Sequence, residues 1–420
     1  MLDRAALLAL EHVGIKLGLD QIRRLLDALG HPERAFPSLV IAGTNGKGSV
    51  TAIVEHGLRA AGYRTGRYTS PHLVHLEERF AIDGVPVDGA TCDRAIRRVL
   101  EAAAGMAAPP SFFEATTALA LEVFREADVS VAVLEVGLGG RLDATNAVSS
   151  RAVAITSVDF DHQEYLGHTL EEIAREKAGV IKPGGLTVLG ENPPAVCRVV
   201  LEVAGSLGAR LVYAPEGVSS EARMENGRLR AAIETPHDRY PSVLLGLRGR
   251  HQVANAITAI RLLEELRAGG HFDVGRGAIV RALEDVRWPA RLEMLDARDG
   301  PVLIDGAHNP AGARALASYV HEAFDRRLPF VIGAMRDKEI DAMIAALAPA
   351  STMFICTAAA SPRAASPSAL LEIVTRIAPQ VPAAAVSSPI EAIERARAEG
   401  SPVVVAGSLY LAGEIREKLA

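Results

Sequence analysis

The sequence predicts an α/β protein of two domains, each built on a parallel sheet. Three observations carry this. Short continuous apolar runs, such as VSVAVLEV at 129–136, have the pattern of strands buried on both faces. Plausible helices alternate with them, the order that builds parallel sheets. The alternation breaks near Trp288 and restarts at Pro301, so the 420 residues divide into a larger first domain, 1–287, and a smaller second one, 288–420.

The elements follow in order. Asp20 caps a short helix with the apolar stripe Ile22, Leu25, Leu26 and Leu29, closed by Gly30. Residues 38–42 read as a buried strand that enters a glycine-rich turn, and 50–61 as the helix after it. Further strands are expected at 129–136 and 152–158. Thr169 and Glu172 form a capping box that opens a helix containing Arg175, Glu176 and Lys177. After Trp288, strands are expected at 301–304, 329–333, 352–356 and 402–406, with a helix from about Ala311 and a loop at 358–368. Residues 206–245, with turn residues and short alternating runs, suggest an antiparallel patch on the first domain.

Composition narrows the class of function. Hydrophobic residues make up 49% and charged residues 23% of the chain, enough to bury large cores. The net charge of −6 argues against nonspecific nucleic-acid binding. Three distant cysteines, Cys92, Cys197 and Cys356, give neither a disulfide framework nor a CxxC metal site. No targeting segment and no membrane-length apolar run is visible. The expectation is a cytoplasmic monomer with small-molecule substrates.

Chemistry is carried first by Gly43-Thr44-Asn45-Gly46-Lys47-Gly48-Ser49, between a strand and a helix. Glycines let backbone N–H groups close around phosphate oxygens, and Lys47 adds a point charge. Ser49 or Thr51 can offer a hydroxyl to Mg²⁺. The loop is a variant of G-x-x-x-x-G-K-[ST], with Ile41 in place of its first glycine and Gly48 in place of its Ser/Thr. Glu135 ends an apolar strand and His162 follows another, and parallel strands deliver their carboxyl ends to one edge, where ligands collect. Gly137, Gly139 and Gly140 make only a weak dinucleotide pattern, because Leu142 occupies its sixth position.

Together these motifs resemble the folylpolyglutamate synthase / dihydrofolate synthase branch of the Mur ligase superfamily. The resemblance rests on GTNGKGS, YTSPHL (68–73), SFFE (111–114), LEVGLGGRLDATN (134–146), Asp161-His162, EKAGVIKP (176–183), HQVANA (251–256), WPARLE (288–293), DGAHNP (305–310) and the segment around Ser408. It implies a P-loop-type ATP-binding domain followed by a Rossmann-like C-terminal domain.

The resemblance also implies roles. Asn45, Gly46, Lys47, Gly48 and Ser49 would hold the triphosphate, with Asn255 at the adenine, and Arg291, Asp305 and His308 at the phosphates and ribose. Ser70, Glu135 and His162 would bind two Mg²⁺ ions together with Lys177, which CO₂ would carbamylate into an oxygen ligand. Lys47, Glu135, His162 and Lys177 would be the catalytic set. Phe113, Glu114, Leu142, Asp143 and Ala144 would line the pterin end, and Ser408 with His308 the glutamate end. Plain structural jobs remain open for several: a turn aspartate for Asp143, a solvent-facing ion-pair partner for Lys177, a helix-surface amide for Asn255.

The implied reaction is ATP-driven amide formation. The acid becomes an acyl phosphate, and the α-amine of L-glutamate attacks it, with domain closure excluding water. The acid is dihydropteroate, tetrahydrofolate or another reduced folate. Both activities are expected, with folylpolyglutamate synthesis alone as the alternative. A P-loop NTPase switch would explain residues 43–49 but not the second domain.

Overall fold

The structure, a computed structural model, describes residues 2–14 and 16–419. These divide into two compact units. The first holds the described residues up to 220 with 233–241 and 254–286, and the second holds 221–232, 242–253 and 287–419.

The first unit is organised by an eight-stranded sheet. Its strands are β1 (Ser38–Ala42), β2 (Thr65–Tyr68), β3 (Phe80–Ile82), β4 (Val85–Pro86), β5 (Val131–Glu135), β6 (Ser150–Ile155), β7 (Leu186–Leu189) and β8 (Arg210–Tyr213). The order is β4-β3-β2-β5-β1-β6-β7-β8. From β2 to β8 all pairings are parallel, while β3 and β4 close one edge antiparallel. β1 and β5 are buried along their whole length, which is why both read as unbroken apolar runs. Each of Leu39, Val40 and Ile41 contributes on the order of 2 kcal/mol by leaving water. The chain runs to opposite sides of β1 to reach β2 and β6, so the end of β1 is a switch point of the sheet.

Three further strands, β9 (Ser219–Glu225), β10 (Arg228–Glu234) and β11 (Arg239–Leu244), form a small sheet in the order β11-β10-β9. The sequence suggested that this patch belongs to the first domain, yet 221–232 goes with the second unit. The physical reason is local. The Tyr319 hydroxyl donates to the carbonyl of Gly227 at the turn, at 2.9 Å. Arg250 pairs with Glu322 on the same helix, Pro310–Phe324, at 3.0 Å. Neither contact leaves a trace in local sequence pattern.

The second unit holds a six-stranded sheet: β12 (Glu293–Ala297), β13 (Gly300–Ile304), β14 (Leu328–Ile332), β15 (Ser351–Cys356), β16 (Ala383–Ala385) and β17 (Val403–Ala406). Its order is β12-β13-β17-β14-β15-β16, with β12 antiparallel and the rest parallel. Leu303, Phe330, Phe354 and Val404 centre its core. Among the described residues, no helix is long and apolar enough to cross a membrane.

The capping box read from sequence is present. Thr169 Oγ1 accepts from Glu172 N at 3.2 Å, and the Glu172 carboxylate accepts from Thr169 N at 3.1 Å. It opens the helix Leu170–Ala178, which carries Lys177. Thr169→Ala is expected to lower stability by about 1 kcal/mol, read as a drop in the urea midpoint; an unchanged midpoint would show that the cap contributes nothing.

Candidate functional site

The glycine-rich loop leaves β1 at the switch point. Gly43 has φ 144° and Gly46 has φ 87°, conformations that residues with a Cβ rarely adopt. Space forbids a side chain as well. A Cβ on Gly43 would run into the Thr156 hydroxyl, and one on Gly46 into the Asn255 amide. The helix Lys47–Ala60 starts here from Gly46, an N-cap residue with no side chain of its own, the arrangement that suits an anion at a helix N-terminus. Asn255 therefore lies directly on the phosphate loop, nearly buried, rather than on an open helix surface.

Two lysines meet at this loop. Lys47 Nζ folds back to donate to the carbonyls of Gly43 and Thr44, both at 3.0 Å. Lys177 Nζ, on a side chain only 4% exposed, donates to the same Gly43 carbonyl at 2.9 Å. Burial, then the charge of Lys47, pushes Lys177 down from 10.5 to about 7, against partial opposition from Asp161 and Asp143. Lys177 therefore gives up its proton far more readily than an exposed lysine. The solvent-facing alternative for Lys177 does not hold.

Glu135 ends β5 beside β1, its register partner being Ile41. Its carboxylate, in a residue 6% exposed, accepts from Ser70 N at 3.4 Å. The Ser70 hydroxyl oxygen is shut off from solvent and has no hydrogen-bond partner among the described residues. A carboxylate beside an unpartnered hydroxyl at the rim of a phosphate loop is an oxygen-donor set that fits Mg²⁺. His162 lies beyond β6 with φ 50°, leading into the short helix Gln163–Leu166. Among the described residues, no group of three or more His, Cys, Asp or Glu side chains gathers as a ready metal site. Any divalent ion here would need ligands from outside that set, such as phosphate oxygens, the Ser70 hydroxyl or a modified Lys177.

The stretch 137–146 docks on the end of the Lys177 helix. Arg141 N donates to Glu176 O at 2.7 Å and Asn146 Nδ2 to Gly179 O at 3.0 Å. Gly140 has no room for a Cβ against the carbonyls of Glu176 and Lys177. The glycines thus serve close packing, and the weak dinucleotide pattern is explained without a dinucleotide. Asp143 fastens this loop from within. One of its oxygens accepts from Gly137 N and Leu138 N at 3.1 and 2.9 Å, and the other from Thr145 N and Oγ1 at 3.0 and 2.5 Å. Those four donors fill the carboxylate's acceptor positions, so in this structure Asp143 shapes the loop instead of offering itself to a ligand.

Phe113 lies across Gly137, where a Cβ would strike its ring, and its centroid is 6.1 Å from that of Tyr68. Phe113 and Asp143 therefore meet at Gly137, with Ala144 buried and Leu142 half-buried beside Asp143 in the chain. Glu114 is also accounted for. Its carboxylate accepts from Ser111 N and Oγ, both at 2.8 Å, as the capping box of the helix Phe112–Glu126.

Sequence reading passed over two groups here. Arg79 donates from Nε to His72 Nδ1 at 2.8 Å and stacks over Phe112 at 5.2 Å. Burial, then Arg79, pushes His72 down to about 4, so it is a neutral acceptor. His72 stood inside the quoted YTSPHL motif, which was a usable signal. Thr156, Ser157 and Asp159, which brace the phosphate loop, carried no signal, because their partners are more than 100 residues away.

In the second unit, Arg291 lies over Gly306, where a Cβ would crowd its guanidinium. The flanking Ala290 and Leu292 both have positive φ, 54° and 47°. The buried Asp305 carboxylate accepts from Leu292 N at 2.8 Å and Ala307 N at 2.9 Å, and burial raises its pKa. His308 Nδ1 lies 2.8 Å from the Gly306 carbonyl, which places a proton on that nitrogen. Arg291, Asp305 and His308 are thus gathered at the end of β13. Ser408, 2% exposed, accepts from Tyr410 N at 3.1 Å, at the head of the helix Leu409–Leu419.

A parallel sheet with this phosphate loop and buried lysine, joined to a second parallel α/β unit, is the build of a Mur ligase. Residues 90–263 match the Mur ligase middle domain, and 290–409 match the Mur ligase glutamate ligase domain. The dihydrofolate synthase/folylpolyglutamate synthase of Mycobacterium tuberculosis is 38% identical over 87% of this chain and 81% of its own length. The crystal structure of the Mycobacterium tuberculosis folylpolyglutamate synthase complexed with ADP and AMPPCP superposes with a TM-score of 0.91 at 34% identity, covering 100% of this chain and 99% of that one. A Yersinia pestis bifunctional folylpolyglutamate synthase/dihydrofolate synthase, complexed with AMPPNP and Mn ion, gives 0.86 at 30%, covering 99% and 98%. The chain belongs to the dihydrofolate synthase/folylpolyglutamate synthase family of Mur ligases.

Two outcomes follow from the geometry. Gly43→Ala is expected to remove nucleotide binding, by forcing Thr156 away and straining the backbone; wild-type affinity by calorimetry would disprove the crowding. Lys177 has a depressed pKa, so the unfolded chain binds more protons, and stability rises with pH from about 7 towards 10.5. Lys177→Met is expected to be more stable than the native chain at pH 6 in CO₂-free buffer, because the buried charge is gone. That advantage should shrink as pH approaches 10, and urea midpoints across the range would show whether it does.

Proposed function

We propose that this protein is an ATP-dependent ligase that joins L-glutamate to the carboxyl group of dihydropteroate and to that of reduced folates. The observation that carries the reading is the convergence of Lys47 and Lys177 on the Gly43 carbonyl, at the head of a phosphate loop. Family membership supports it.

A carboxylate is a poor electrophile. Attack of its oxygen on the γ-phosphorus of ATP expels ADP and leaves an acyl phosphate. The α-amine of glutamate then attacks the acyl carbon, phosphate departs, and an amide with one released proton remains. The loop residues Asn45, Gly46, Lys47, Gly48 and Ser49 bind the triphosphate, and the Lys47 ammonium leaves its own carbonyls to meet the transferring phosphoryl group. Asn255 closes the loop from the other side. Phe113, Leu142, Asp143 and Ala144 form the wall against which the pterin packs, with Asp143 acting through the loop it fastens. We assign Arg291, Asp305 and His308 to the phosphates and ribose of the nucleotide, and His308 with Ser408 to glutamate.

Ser70, Glu135, His162 and a carbamylated Lys177 would hold two divalent ions, whose chemistry when bound is to neutralise charge on the triphosphate. The neutral fraction of Lys177 is what CO₂ requires. The amine nitrogen bonds to carbon, one N–H proton leaves to solvent, and a carbamate oxygen donor replaces a cation.

The reading is tested by ADP release with dihydropteroate and with tetrahydrofolate, each with and without L-glutamate. Release only when acid and glutamate are both present is expected. Release with tetrahydrofolate alone among the acids would restrict the activity to polyglutamate synthesis, and release without acceptors would make the protein an NTPase. Lys177→Ala is expected to lose at least 100-fold in turnover while keeping its fold. Labelling with ¹³C-bicarbonate should give a carbamate resonance that is missing from that variant; near-native turnover by Lys177→Ala would refute the carbamate.

A further inference from the structure

Asn192 is not among the residues named for the site, and its side-chain hydrogen bonds go to Val158, Thr156 and Gly190. Its side chain nonetheless uses both ends on one short segment. Oδ1 accepts from Val158 N at 2.7 Å. Nδ2 donates to Thr156 O at 2.7 Å and to Gly190 O at 3.1 Å. Gly190 in turn donates from N to Ile155 O at 2.8 Å, so the exit of β7 is stitched to the exit of β6. A Cβ on Gly190 would press on the Thr258 hydroxyl, which shows how closely these strand ends are packed.

The clamped segment braces the phosphate loop. Thr156 Oγ1 donates to Asn45 O at 2.7 Å. Thr44 N donates to Ser157 O at 2.7 Å. Thr44 Oγ1 donates to Asp159 O at 3.0 Å, and Asp159 N donates back to Thr44 Oγ1 at 3.0 Å. Three residues further on stands His162. One amide side chain therefore fixes the ledge on which Thr44 and Asn45 rest, and the start of the stretch that delivers His162. Without it, Thr156 O and Val158 N would lose their partner, and beyond the bonds of Thr156 to the Ala42 carbonyl the segment would lean on the loop it is meant to hold.

We infer that Asn192 is a positioning residue for nucleotide binding, acting through residues 156–159 on the phosphate loop. This rests on the reading that residues 43–49 bind ATP. An aspartate at 192 keeps the acceptor for Val158 N but turns an oxygen towards the carbonyls of Thr156 and Gly190, so it should be at least as harmful as alanine.

The experiment measures AMPPNP affinity, the KM for ATP and for L-glutamate, and amide hydrogen exchange of the nucleotide-free protein, for the native chain, Asn192→Ala and Asn192→Asp. Expected are an increase of about tenfold in nucleotide Kd and in KM for ATP, with KM for glutamate within twofold of native. Exchange should rise in residues 43–47 and 156–162 and stay native in the second unit. Cys197→Ala, which removes sulfur contacts to the Asn192 carbonyl and to the Tyr213 side chain but leaves the Asn192 amide in place, should change none of these. Native exchange and affinity in both variants would overturn the proposal. So would equal rises in both KM values, or failure of both variants to fold, since either outcome makes Asn192 a general stability residue. If native protein bound no nucleotide, the ATP reading would fail, while the exchange data would still decide whether the clamp exists.

Discussion

Two ammonium groups donating to one carbonyl oxygen set the terms for everything around them. Like charges brought so close, with one of them almost wholly buried, raise the energy of the doubly charged state. The protein answers by lowering the affinity of Lys177 for its proton. A lysine that holds its proton this loosely is chemically unusual at the head of a parallel sheet. The same crowding of positive charge makes the loop a place where a triphosphate is welcome.

The fold produces this arrangement through close approach. β1 and β5 are adjacent and fully buried, so Glu135 and the phosphate loop emerge from neighbouring strands. The stretch 137–146 lies flat on the end of the Lys177 helix because Gly140 and Gly179 leave no side chain in the way. Asp143 then locks the stretch by accepting four hydrogen bonds from it. Glycine and aspartate work here as a pair, one permitting contact and the other freezing the resulting turn. The polar groups of the second unit are built in a comparable way, with Asp305 pinning the backbone on one side of Arg291.

Several residues picked out for chemistry turn out to hold backbone in place. Glu114 and Ser408 sit at helix N-termini, and Asp143 fastens a loop. Motif resemblance cannot separate these roles, because a residue that shapes a site is kept beside it as firmly as one that touches the ligand. Hydrogen-bond partners separate them at once. Conversely, Thr156, Asp159 and Asn192 are ordinary letters in the chain, and they became visible only when their partners across the sheet were known.

The sequence by itself determined the α/β class, the buried central strands, the phosphate loop, the helix carrying Lys177 with its capping box, and the family. Those features are local. Apolar runs, glycine spacing and caps are written within a few neighbouring residues, and strings such as LEVGLGGRLDATN are long enough to be specific. Tertiary structure alone decided that Lys47 and Lys177 share an acceptor, that 221–232 belongs with the second unit, and that short strands such as Thr65–Tyr68 join the main sheet. These depend on which distant segments meet. TGRY has no strand-like pattern, and it is ordered by pairing with β5 and by Phe124 packed on Gly66. A titration shift such as that of Lys177 likewise belongs to no residue type, since burial and a neighbouring charge create it only after the chain has folded.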